Sequence, residues 1–149
     1  MKVINRKLSR DYEILETVEA GIVLTGPEAK STFLKQINID DAHVKLRDRE
    51  AYLINADIQK YKFAKQDEYD PKRTRKLLLH KKELLKLQVK TASKGFSIVP
   101  VSCFSQGPYI KFEIALVRGR KDLEKKKIQK KQEVIRDEKR DMKEYLKMK

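Results

Sequence analysis

Residues 69–83 read Tyr-Asp-Pro-Lys-Arg-Thr-Arg-Lys-Leu-Leu-Leu-His-Lys-Lys-Glu, and six of these fifteen are Lys or Arg. The cations abut Leu77, Leu78 and Leu79, a triplet expected in the core. A cationic segment fastened to a folded body suits a ligand of fixed negative charge, above all a phosphate backbone. Other chemistry finds little material. His43 and His80 are the only histidines, and each reads as a surface or capping residue rather than a general base. No Cys/His spacing fits zinc. The five glycines build no phosphate-cradling loop, and Asp40-Asp41 reads as turn capping. The expectation is a binding protein rather than an enzyme, with no metal, cofactor or small-molecule substrate.

Composition supports a polyanionic partner. The 149 residues suit one domain with a tail. Apolar residues make up 40% and charged residues 39%, with a net charge of +14. Residues 118–149 hold 14 basic and 7 acidic residues, half of that excess. A charge run by itself is equally well a solvated face. Strong basicity in both parts of the chain turns the reading towards nucleic acid. No stretch approaches the ~20 apolar residues of a spanning helix, so no membrane is expected. The single cysteine, Cys103, lies among apolar neighbours and reads as a small buried hydrophobe. One thiol and no apolar leader fit a reducing cytoplasm.

The elements that must carry these charges follow from period. Tyr12, Ile14, Val18, Ala20, Ile22 and Leu24 alternate, broken at Glu16, which predicts a long strand with one buried face. Gly26-Pro27 ends it, and Pro27 suits the first turn of a helix over 27–36. Short strands are expected over 42–46 and 51–54, joined by Asp48-Arg49, with another over 56–63 and a loop to Arg75. A helix starts at His80, with Glu83 placed to reach back to it. Leu84, Leu85, Gln88, Val89 and Ala92 form its expected buried face, and Gly95 stops it. Segments 96–104 and 109–117 read as a hairpin turned at Ser105-Gln-Gly-Pro. Short antiparallel strands with few helices favour closure, because closure removes exposed edges. The fold expected is mainly β, a small OB-like barrel over 1–117 with two to three added helices.

Residues 118–149 differ in kind. Ile128, Ile135 and Met142 repeat every seven residues with Leu146 following, while every other face is charged. Pairs such as Asp122 with Lys126 contribute only ~0.2–0.5 kcal/mol each. That is too little to keep some thirty residues helical without packing. The tail is expected to be disordered when free and helical on a partner.

Several motifs, in order, resemble the small protein B family, the SsrA-binding proteins of bacterial trans-translation. They are Glu19-Ala-Gly-Ile-Val-Leu-Thr-Gly, Glu28-Ala-Lys-Ser, Asn38-Ile, Asp70-Pro-Lys-Arg-Thr-Arg-Lys-Leu-Leu-Leu, and Arg118-Gly-Arg-Lys. The resemblance covers about residues 5–126. It implies an OB-like barrel that binds the tRNA-like domain of transfer-messenger RNA, with a tail that enters the vacant message channel and decoding centre of a stalled ribosome; apart from the resemblance, a monomer is expected. It places Lys30, Ser31, Asn38 and Lys111 at or near the RNA face and Glu19 at a functionally important position beside it. There the cations and small polar groups would fix register on phosphate and ribose. Glu19 would orient a cation or accept from a base or ribose, or is an ordinary strand carboxylate. Arg73, Arg75 and Lys76 either brace the core or meet RNA, and Leu78 is expected to be plain core. In the tail, Gly119, Arg120, Lys121, Lys125, Lys126, Lys130 and Lys131 are the implied ribosome contacts.

The chain departs from that pattern in two places. Thr32-Phe-Leu-Lys-Gln-Ile-Asn38 stands where the family has Leu-Arg-Ala-Gly-Lys-Ala-Asn, and Leu123 stands where it often has His or Tyr. Leucine cannot stack on a base as a ring does. Two other readings fit the bulk properties. One is a ribosomal or other rRNA-binding barrel with a basic extension; the other is a module for acidic proteins.

Overall fold

The computed structural model of the protein describes residues 1–65 and 68–119. The order is β1 (Lys2–Ile4), α1 (Leu8–Asp11), β2 (Tyr12–Ile22), α2 (Gly26–Phe33), β3 (Ile37–Asn38), β4 (His43–Arg47), β5 (Glu50–Ile54), β6 (Asp57–Ile58), β7 (Arg75–Leu78), α3 (Lys81–Thr91), β8 (Phe96–Gln106) and β9 (Tyr109–Gly119). Seven strands form one antiparallel sheet in the order β1-β8-β4-β5-β7-β2-β9, and β8 also pairs with β9. That last pairing closes the sheet on itself, the barrel the strand pattern predicts. β3 and β6 form a separate two-stranded ribbon.

The barrel is filled from the inward positions of its strands. Ala20, Leu53, Leu77, Ile98, Cys103, Phe112 and Ile114 are all buried in one cluster. Each large apolar side chain so buried contributes ~1.5–3 kcal/mol. Burial pushes the Cys103 thiol up to about 12, so it behaves as the expected small hydrophobe.

Glu16 interrupts the alternation of β2 for a reason the sequence hides. A bulge lies between Ile14 and Glu16, where β2 slips by one residue against β9. The extra residue reverses the phase of the strand, leaving Ile14 exposed while Val18, Ala20 and Ile22 face the core. Glu16 receives α3: Lys90 donates to its carboxylate and Lys86 lies 3.6 Å from it.

Several boundaries differ from expectation. α2 ends at Phe33 rather than 36, because Lys35 turns into the left-handed region at φ 62°. Its start is firmer than Pro27 alone implies. The Glu28 N–H donates to Thr25 Oγ1, and the Thr25 N–H donates back to Glu28 Oε1, a full capping box. Of 56–63 only Asp57 and Ile58 are strand. β7, by contrast, forms where no strand was expected, because five long-range pairings hold Arg75–Leu78 between β5 and β2. His80 does precede α3, without a side-chain cap. Its Nε2 stands 4.0 Å from Glu83 Oε1.

The buried face of α3 is also rotated from the one expected. Leu87 is buried and Leu84 packs on the core, whereas Leu85 and Val89 are exposed. Leu78 is corrected too. It is 51% exposed while Leu77 is 2% exposed, since successive strand residues point to opposite sides of the sheet. The tail, with Arg120, Lys121, Lys125, Lys126, Lys130 and Lys131 and the heptad stripe, lies outside the described residues.

Candidate nucleic-acid interface

The outer face of β7, β2 and β9 is built by register. Gly21 lies opposite Lys111 on one side and Leu78 on the other, and Glu19 lies opposite Glu113. A Cβ on Gly21 would stand 3.3 Å from Leu78 Cβ. Its missing side chain therefore lets Leu78 lie close over the strand. The result is a groove of about 450 Å³ lined by Glu19, Gly21, Leu78, His80, Glu83 and Lys111. Neither Glu19 nor Lys111 has an ion-pair partner among the described residues, so both charges remain available to a ligand. Sequence reasoning named Glu19 and Lys111 but missed the rest of the wall. The outward phase of Leu78 was the legible clue, since Leu77 and Leu78 cannot both face inward from one strand.

The signature cations divide by position. Arg75 is fully buried, and all three of its guanidinium nitrogens are occupied. Nε donates to Glu28 Oε2 at 2.8 Å, Nη1 to the Ala56 carbonyl at 2.8 Å, and Nη2 to the Pro71 carbonyl at 3.0 Å. Of the two alternatives, bracing is what this geometry supports, because no atom of Arg75 reaches the surface. Arg73 donates from Nη2 to Glu28 Oε1 at 2.6 Å while its side chain stays 43% exposed. Burial pushes the Glu28 carboxyl up. Hydrogen bonds from Arg73, the Thr25 N–H and Arg75 outweigh that effect and hold the group at about 2. Lys76 is exposed and bonds to Glu50 Oε1 at 2.9 Å, and this hydrogen bond raises its pKa.

Glu28, quoted above only as part of a motif, is thus the hub of the signature stretch. Tyr69 completes it by donating its hydroxyl to the Ile58 carbonyl at 2.7 Å. Ser31 is corrected as a surface contact: it is buried, and its Oγ has no hydrogen-bond partner among the described residues. Lys30, one residue earlier on α2, is exposed with its ammonium 5.4 Å from the Tyr61 ring centroid. Asn38 is exposed, and its Oδ1 accepts from the Asp40 N–H at 2.9 Å. Gly119 is exposed at the end of β9, opposite Tyr12. The structure thus unites Glu19 with Lys111, and Arg73 with Arg75, while Lys30 and Asn38 sit on α2 and β3.

A sequence model of the family described as SmpB protein matches residues 2–144. The chain belongs to the SmpB family. Among its relatives, the SsrA-binding protein of Mesoplasma florum is 46% identical over 138 residues, 92% of this chain and 93% of that protein. The SsrA-binding protein of Pseudothermotoga lettingae is 44% identical over 146 residues, 97% of this chain and 96% of that one. The fold is similar to a chain in the solved structure reported as "tmRNA-SmpB: a journey to the center of the bacterial ribosome". There the TM-score is 0.68 at 41% identity, covering 81% of this chain and 85% of that chain. The SmpB match spans the signature stretch that Glu28 organises.

Proposed function

We propose that this chain binds the tRNA-like domain of transfer-messenger RNA and delivers it to stalled ribosomes for trans-translation, in the cytoplasm. The observation that carries this reading is the family match over residues 2–144, shared with relatives named for SsrA binding. The geometry supports it. A closed barrel offers a rigid body, and the groove lined by Glu19 and Lys111 offers a cation and an acceptor for phosphate and ribose. Lys30 and Asn38 add exposed polar groups, and Arg73 keeps part of its side chain at the surface while bracing Glu28. The chain acts as a binding protein: RNA is held by contacts rather than transformed. The barrel, residues 1–117 in this division, holds the RNA. The basic tail from residue 118, with Arg120, Lys121, Lys125, Lys126, Lys130 and Lys131, probes the empty message channel and decoding centre.

A competition titration at near-physiological salt tests the reading. Labelled tRNA-like domain is challenged with elongator tRNA and with an unrelated hairpin of equal length. A preference of about a hundredfold, ~2.7 kcal/mol, is expected. Equal displacement by all three would leave only charge at work and would favour an rRNA-binding barrel instead.

A further inference from the structure

The loop after β6 reads Gln59-Lys-Tyr-Lys-Phe-Ala-Lys65, cations interleaved with rings. The Ala64 N–H donates to the Tyr61 carbonyl at 3.0 Å, which closes a turn with Lys62 and Phe63 at its two central positions. A turn tip cannot bury a phenyl ring, and Phe63 is 74% exposed. The ring is nonetheless held. Tyr61 and Phe63 meet edge to face, with centroids 5.6 Å apart and planes at 69°, the arrangement ring quadrupoles favour. The Lys62 ammonium stands 5.8 Å from the Phe63 centroid, and Lys30 reaches Tyr61 from α2. The base of the loop is tied on both sides. The Gln59 N–H donates to the Gln36 carbonyl at 3.0 Å, and the Ile58 N–H donates to the Pro71 carbonyl at 3.0 Å.

Packing does not explain Phe63, because its ring faces water while Tyr61 is half-buried beside it. What distinguishes the place is two rings in edge-to-face contact among four exposed cations, Lys30, Lys60, Lys62 and Lys65. A ligand that is flat, apolar on its faces and anionic along its edge matches that chemistry. We propose that Tyr61 and Phe63 form a stacking platform for an unpaired nucleobase, with Lys30 and Lys62 taking the flanking phosphates. Paired bases hide their faces inside the stack, so the platform selects loops, bulges or ends over duplex. The proposal deepens the RNA-binding reading above and rests on it for the identity of the RNA.

The test uses the full chain and three probes at near-physiological salt: a short oligoadenylate, a blunt RNA duplex of equal length, and the tRNA-like domain. Phe63→Ala is expected to weaken oligoadenylate binding by ~5–150-fold and duplex binding by less than about twofold. Phe63→Trp is expected to restore it. The exposed position keeps the fold out of the comparison, and an unchanged thermal midpoint checks this. Equal losses on both short probes would overturn the platform. So would an unchanged Phe63→Ala, or a wild-type protein that does not hold the single strand. If the oligoadenylate effect holds while elongator tRNA displaces the tRNA-like domain equally, the platform stands and the transfer-messenger reading falls.

Discussion

Arg75 and Glu28 lie 47 positions apart, yet Arg75 Nε donates to Glu28 Oε2 at 2.8 Å with both side chains fully buried. The pair pins β7 to α2. Removing one partner strands a charge in the interior, which typically costs ~3–5 kcal/mol. Glu28→Gln is therefore expected to lower the stability of the barrel by about that amount, read as a lower denaturant midpoint at unchanged slope. Arg75→Lys is expected to fall nearly as far, because an ammonium cannot serve the fork of acceptors at Glu28, Ala56 and Pro71.

The same carboxylate sets an acid limit. Its folded pKa of about 2 lies below the ordinary 4.5. The unfolded chain therefore binds the proton first, and the stabilisation, roughly 3 kcal/mol, is complete above pH ~4.5 and lost as pH falls towards ~2. Urea midpoints measured across that window are expected to drop in the wild type. In Glu28→Gln this component is absent; an equally steep drop there would assign the acid lability to other carboxylates.

Leu77 and Leu78 are neighbours with opposite fates. Leu77→Ala empties a core site and is expected to cost ~2–5 kcal/mol. Leu78→Ala removes a half-exposed side chain from the groove and is expected to cost about 1 kcal/mol or less. Chemical unfolding of the two variants side by side checks this, and equal losses would put Leu78 back in the core.

Asp48 and Arg49 both have positive φ, at 50° and 63°, in the two-residue link between β4 and β5. That turn favours Asn-Gly, and a left-handed Arg is strained. Arg49→Gly is expected to raise stability by up to ~1 kcal/mol, visible as a higher thermal midpoint.

A chain ended after Gly119 keeps β9 whole, together with the 2.5 Å Arg118–Glu13 pair. It is expected to hold the tRNA-like domain nearly as well as the full chain while tagging of stalled nascent chains is lost. Normal tagging by the truncated protein would remove the role proposed for the tail.

By itself the sequence determined what depends on local pattern. Period two marked the long strand β2, the Ser105-Gln-Gly-Pro turn marked the β8–β9 hairpin, Pro27 marked α2, and the ordered motifs led to the family. Barrel closure was also legible, because several short strands must dispose of their edges. Tertiary structure alone decided which charges are spent and which are offered. Arg73, Arg75 and Lys76 look alike in a basic run, yet Arg75 disappears into the interior because Glu28 arrives there from α2. Ser31 turns inward while Lys30 beside it faces solvent, since adjacent positions on a helix lie about 100° apart. The bulge in β2 and the rotated face of α3 depend on partners far along the chain, and no local window contains them. A charge acquires its role from the group that comes to face it, and only the folded chain brings the two together.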